Sequence, residues 1–94
     1  DDVAQKFWGV LDKYKIKKES RTGYSIGIGY PPDWGEHTLN IYKGDMTVLQ
    51  PNVCFHMIAV MQFGEWGVEA SESVRVTENG SELFCNFSRE LHIK

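Results

Sequence analysis

The run VCFHMIAVM, Val53–Met61, constrains this chain more than any other stretch. It is apolar at nearly every position. Turn signals bound it, Gln50-Pro51-Asn52 before and Phe63-Gly64-Glu65-Trp66-Gly67 after. Its length and its Val, Ile and Phe content favour a buried strand over a helix. A strand apolar on both faces needs cover on both faces. The sequence offers little. The helical spacing of Val3, Phe7, Val10, Leu11 and Tyr14 predicts one short helix, with Asp2 as N-cap and Gln5 completing a capping box. Gly9 inside it costs about 1 kcal/mol relative to Ala. The expected cover therefore includes something beyond this helix, either more of the same polypeptide or another subunit.

The remaining pattern is strand-like. Tyr24–Ile28, Thr38–Tyr42, Ser71–Thr77 and Ser81–Cys85 are the other expected strands, with a tight reversal at Glu78-Asn79-Gly80. One helix followed by about five strands is an α+β pattern with an antiparallel or mixed sheet. In 94 residues this is one domain or part of one. The chain begins DDVAQKF without a Met, which fits a piece of a longer polypeptide.

Charge narrows the function classes. The net charge of −3 gives the chain no nucleic-acid footprint. The basic residues Lys13, Lys15, Lys17, Lys18 and Arg21 read as a solvated helix end that complements the dipole. No apolar run approaches the ~20 residues of a membrane span. Cys54 and Cys85 lie in apolar runs and read as buried thiols in a reducing compartment, hence a cytoplasmic location.

The stretch GYSIGIGYPPDWGEH, Gly23–His37, looks at first like a phosphate loop. Its glycines do not follow G-x-G-x-x-G, and Pro31-Pro32 forbids the helix that such a loop requires. It reads as a glycine-kinked strand entering a turn. His37, His56 and His92 match no zinc spacing. Taken alone, His56 on an apolar strand reads as a core residue, and Glu69 and Glu72 read as surface charges at a strand start.

Three blocks together resemble a known family. RTGYSIGIGYPPDWGE, LQPNVCFHMIAVM and WGVEASESVRVTENGSELF are similar, in order and spacing, to the C-terminal half of the pita-bread fold of creatinase, prolidase and the Xaa-Pro and methionine aminopeptidases. The ectoine-hydrolase-like branch is the nearest in signature. The resemblance covers about Ser20–Leu91. It implies a site between two halves of the fold, with a His and two Glu from this half holding two metal ions. Here the three ligand slots fall on Tyr24, Ile58 and Ser71. Glu72 is one residue from a slot and faces the other way. His56 and Glu69 each lie two residues before a slot, so they share its face.

The resemblance therefore implies metal-independent hydrolysis of a C–N bond in a small cyclic or amide substrate, with no cofactor. His56 and Glu69 are the implied catalytic pair. Tyr24, Trp34, Glu36 and Trp66 are the implied substrate-binding residues. Two alternatives stay open. One is a prolidase- or aminopeptidase-like metallopeptidase using Mn, Co or Zn on a short peptide. The other is an inactive binding module. The expected partners are a small-molecule or short-peptide substrate and the missing N-terminal half or a second subunit, with a homodimer expected. No nucleic acid and no membrane are expected, and the 94 residues alone are expected to be inactive.

Overall fold

The computed structural model describes residues 1–18 and 20–94. One helix, α1 (Asp2–Lys13), precedes five strands: β1 (Gly23–Tyr30), β2 (Asp33–Ile41), β3 (Cys54–Phe63), β4 (Trp66–Val76) and β5 (Ser81–Leu83). They form one sheet in the order β2-β1-β3-β4-β5. Every pairing is antiparallel. The α+β expectation stands, and the sheet is antiparallel rather than mixed. Among the described residues no helix is long and apolar enough to cross a membrane.

The helix differs from the sequence reading in detail. Its N-cap is Asp1, not Asp2. Gln5 reaches back to the Asp1 carboxylate at 3.3 Å. The buried stripe is Ala4 and Leu11, with Phe7 and Trp8 half-buried beside them. Val3, Val10 and Tyr14 are exposed. The stripe Ala4, Phe7, Trp8 and Leu11 keeps helical spacing but turns toward the sheet along a neighbouring line.

Strand alternation gives the sheet two unlike faces. The register sets Phe55 beside Val74 and Met57 beside Glu72 on one face. The helix covers this face. Ala4, Ile41 and Phe55 form its core, with Trp8, Leu39, Leu49, Val53, Met57, Val74 and Val76 packed around them. The opposite face carries Tyr24, His56 and Ser73 in one row, then Ile58 and Ser71, then Val60 and Glu69. The helix leaves this second face uncovered.

Two hairpins run longer than the sequence suggests. Pro31-Pro32, joined by a cis bond, turns β1 directly into β2, with Tyr30 opposite Asp33. Trp34, Glu36 and His37 therefore lie in a strand. Gly64, at φ +67°, and Glu65 turn β3 into β4, with Phe63 opposite Trp66. Consequently β4 starts at Trp66, and Glu69 and Glu72 lie inside it rather than at its start. β5 pairs only with Val74–Val76. Among the described residues the β4 edge before Ser73 thus has no strand partner.

Candidate functional site

The site begins with one cross-strand pair. β1 and β3 place Tyr24 opposite His56. Tyr24 Oη lies 3.1 Å from His56 Nδ1, and the rings are 5.3 Å apart. Trp34 approaches across the β1–β2 hairpin and donates its indole N–H to Tyr24 Oη at 3.2 Å. The Arg21 guanidinium lies 4.5 Å from the Tyr24 ring centroid and bonds Asn40 Oδ1 at 2.7 Å. A cation over a phenol face is a favourable electrostatic contact. Arg21, Trp34 and His56 thus converge on Tyr24.

The approach of β1 to β3 is unusually close. A Cβ at Gly23 would sit 2.9 Å from the His56 carbonyl oxygen and 3.0 Å from Met57 Sδ. Only glycine fits there. The function of this glycine is close approach, not nucleotide binding.

His56 and Glu69 line the same cavity of about 540 Å³, together with Ser71, Ser73, Phe84 and Arg89. Its far wall is the segment after β5. Phe84 N–H donates to the Ser73 carbonyl at 3.1 Å, which brings this segment against the free edge of β4. Arg89 Nε then donates to Glu72 Oε1 at 2.9 Å. Glu72 belongs to the helix-covered face by alternation, yet it reaches the cavity at this open edge.

The implied catalytic pair shares a face but not a contact. His56 is opposite Ser73, while Glu69 is opposite Val60. Four residues of β4 separate the two levels, about 13 Å along the strand. The Ile58–Ser71 pair lies between them. Glu69 therefore does not orient the imidazole. Tyr24 does.

The other implied residues sit elsewhere. Glu36 Oε1 accepts the Gly29 N–H at 2.7 Å, which binds it to its own hairpin. Trp66 stacks on Phe63, with ring centroids 4.7 Å apart, at the end of β4 far from Ser73. The thiols depart from the sequence reading. Cys54 is only half-buried and Cys85 is exposed, because the chain leaves the sheet after Leu83.

Lys18 is the residue that sequence reading placed wrongly. Grouped with a solvated basic cluster, it is instead 6% exposed. Its Nζ donates to Ser20 Oγ and, at 3.4 Å, to the Val60 carbonyl. Loss of water holds its pKa below the ordinary lysine value, and the Glu69 carboxylate partly offsets this. Charge content gave no signal for this. The burial comes from tertiary packing of the segment before β1, where Ile58 N–H donates to the Thr22 carbonyl at 2.7 Å.

A metal is poorly served by these groups. Among the described residues no three His, Cys, Asp or Glu side chains come together. The three slots offer a phenol, an aliphatic chain and a hydroxyl, which do not make a hard-cation ligand set.

The fold and site define an α+β unit with a tyrosine-supported histidine facing a cavity at a sheet edge. Similarity to known proteins adds a chemical class. No family model matches the chain. Over 94 residues it is 40% identical to the ectoine hydrolase of Halomonas elongata, covering 99% of this chain and 24% of that protein. It is 40% identical over 84 residues to the uncharacterized hydrolase/peptidase y4tM of Sinorhizobium fredii, covering 89% of this chain and 21% of that protein. A second protein of that organism, the uncharacterized hydrolase/peptidase y4tL, is 41% identical over 95 residues, covering 96% of this chain and 22% of its own length. The chain is homologous to a segment of hydrolase- and peptidase-named proteins, and it spans about a quarter or less of the relatives it matches.

Proposed function

We propose that these residues form one wall of a metal-independent C–N hydrolase site of the ectoine-hydrolase type, within half of a pita-bread fold. The Tyr24–His56 hydrogen bond carries this reading. It joins the phenol of one implied ligand slot, Tyr24, to an imidazole on the same face, His56, and such groups suit hydrogen bonding and proton transfer better than hard-metal binding. The identity with a protein named ectoine hydrolase supports a small cyclic C–N substrate. In this reading His56 holds the reacting end of the substrate. Glu69, one cavity length away, orients a cationic nitrogen or a water. Tyr24, held by Trp34, supports His56. Glu36 and Trp66 stay bound within their own hairpins. Catalysis requires groups from outside these residues to be held against the same cavity. The rest of the polypeptide supplies them, and the assembly is a homodimer.

The test is turnover of ectoine by the full natural polypeptide that carries these residues, with product followed by NMR, after exhaustive chelation and after adding Mn²⁺, Co²⁺ or Zn²⁺. Turnover that survives chelation is expected. Activity that appears only with metal would sink the metal-free reading. A second reading, hydrolysis of short peptides, rests on the two relatives named hydrolase/peptidase. Cleavage of a prolyl dipeptide in preference to ectoine would favour it.

A further inference from the structure

We propose that Trp34 and Tyr24 are positioning residues that fix the tautomer of His56, so that its Nε2 carries the ring hydrogen into the cavity. An indole N–H can only donate. With Trp34 Nε1 at 3.2 Å, Tyr24 Oη is the acceptor in that contact. The phenol keeps one hydrogen of its own. Among the described residues its other hydrogen-bond partner is His56 Nδ1, at 3.1 Å. A phenol that accepted from both Trp34 and His56 would leave its own O–H undirected in a half-buried place. An unmade hydrogen bond there costs more than the alternative. Tyr24 therefore donates to Nδ1, and neutral His56 holds its hydrogen on Nε2.

Two further contacts keep this arrangement in place. Arg21 lies on the Tyr24 ring and is itself held by Asn40, which fixes the phenol's position. His56 Nε2 has no partner among the described residues, and the ring lines the cavity. The consequence is chemical. Neutral His56 meets its ligand as a hydrogen-bond donor, so the atom bound there is an acceptor, a carbonyl or carboxylate oxygen or an unprotonated nitrogen. This choice of role rests on the proposed function. The tautomer does not.

The experiment is long-range ¹H–¹⁵N correlation on the full natural polypeptide that carries these residues, with ¹⁵N-labelled histidine and His56 assigned from His56→Gln. Above the range of histidine titration, Nδ1 is expected at the shift of an unprotonated nitrogen and Nε2 at that of a protonated one. In Tyr24→Phe the Nδ1 shift moves toward the average of the two tautomers. Trp34→Phe keeps an aromatic ring and loses only the N–H, and it shifts Nδ1 the same way by a smaller amount. It carries the test alone if Tyr24→Phe does not fold. In an active enzyme Trp34→Phe lowers kcat about fivefold, the worth of one hydrogen bond, with KM within about twofold. A protonated Nδ1 in the parent, or an Nδ1 shift that neither variant moves, overturns the inference. The expected shifts without turnover on any C–N substrate support it while sinking the proposed hydrolysis.

Discussion

Gly23→Ala tests the link from one backbone contact to the site. The added Cβ would stand 2.9 Å from the His56 carbonyl oxygen, and ordinary contact begins at 3.4 Å. The strands must part by about 0.5 Å at this pair. Neither the carbonyl nor the Met57 Cα, 3.4 Å from the same Cβ, can swing aside as a side chain would. Tyr24 and His56 form the next pair, so the same parting carries their 3.1 Å bond beyond hydrogen-bond range. Overpacking of this kind costs about 1–3 kcal/mol. A chain of this size has roughly 5–14 kcal/mol of stability. The variant is therefore expected to fold with a urea midpoint lower by about 0.7–3 M, at an m-value near 1–1.5 kcal/mol/M. It is also expected to lose the Nδ1 shift described above. Gly9→Ala is the matched control. Nothing lies within 4 Å of a Cβ there. Relief of the helical glycine penalty should raise stability by about 0.5–1 kcal/mol and leave His56 alone. Urea unfolding followed by tryptophan fluorescence checks both. A Gly23→Ala protein with parental midpoint and intact His56 signal would refute the close-approach reasoning.

Two titrations give further checks. Lys18 has a folded pKa below its unfolded one because burial strips its water. The folded state then binds fewer protons than the unfolded state between the lowered value and the ordinary lysine range, so stability must rise with pH through that window. Lys18→Met should abolish the rise; a parent whose unfolding midpoint stays flat or falls across that window would contradict the burial. The Asp33 pKa is also lowered, but by hydrogen bonds rather than by burial. The Gly35 N–H, and next the His37 ring, hold its carboxyl below the ordinary aspartate range. Its contribution is present above that range and is lost only as pH falls through the folded value. A carboxyl ¹³C titration should place the Asp33 midpoint under that of a free aspartate, and His37→Ala should raise it partway; an ordinary midpoint would disprove the turn contacts.

The order of elements was legible in the sequence, and so was the class. Periodicity marks α1 and the VCFHMIAVM run because both have a buried side. The missed lengths have a common cause. Trp66–Ala70 is exposed along its length, so no alternation marks it as strand. The segment Asp33–His37 follows two prolines that read as a break, yet these occupy the turn itself and leave the strand free to start at once. The burial of Lys18 was invisible for a different reason. It depends on which strand the preceding segment lies against, a long-range fact. Tyr24 and His56 were placed at one site through family resemblance, but their bond depends on register. A slip of one residue would put them on opposite faces.

The same register limits what the cavity can do. A His and a Glu in direct contact would read as a catalytic dyad that needs no third party. Here about 13 Å of strand separates their levels. Both side chains line one cavity, with the Ile58–Ser71 pair between their levels. The two groups are of opposite character toward a ligand. Glu69 is an acceptor or a negative charge. His56, held by Tyr24, is a donor. A ligand that satisfies both needs an acceptor at one end and a donor or cation at the other. A purely apolar ligand would leave both groups without partners. In the proposed function, preference for a compact molecule with opposed polarity at its ends is what this pairing leads us to expect.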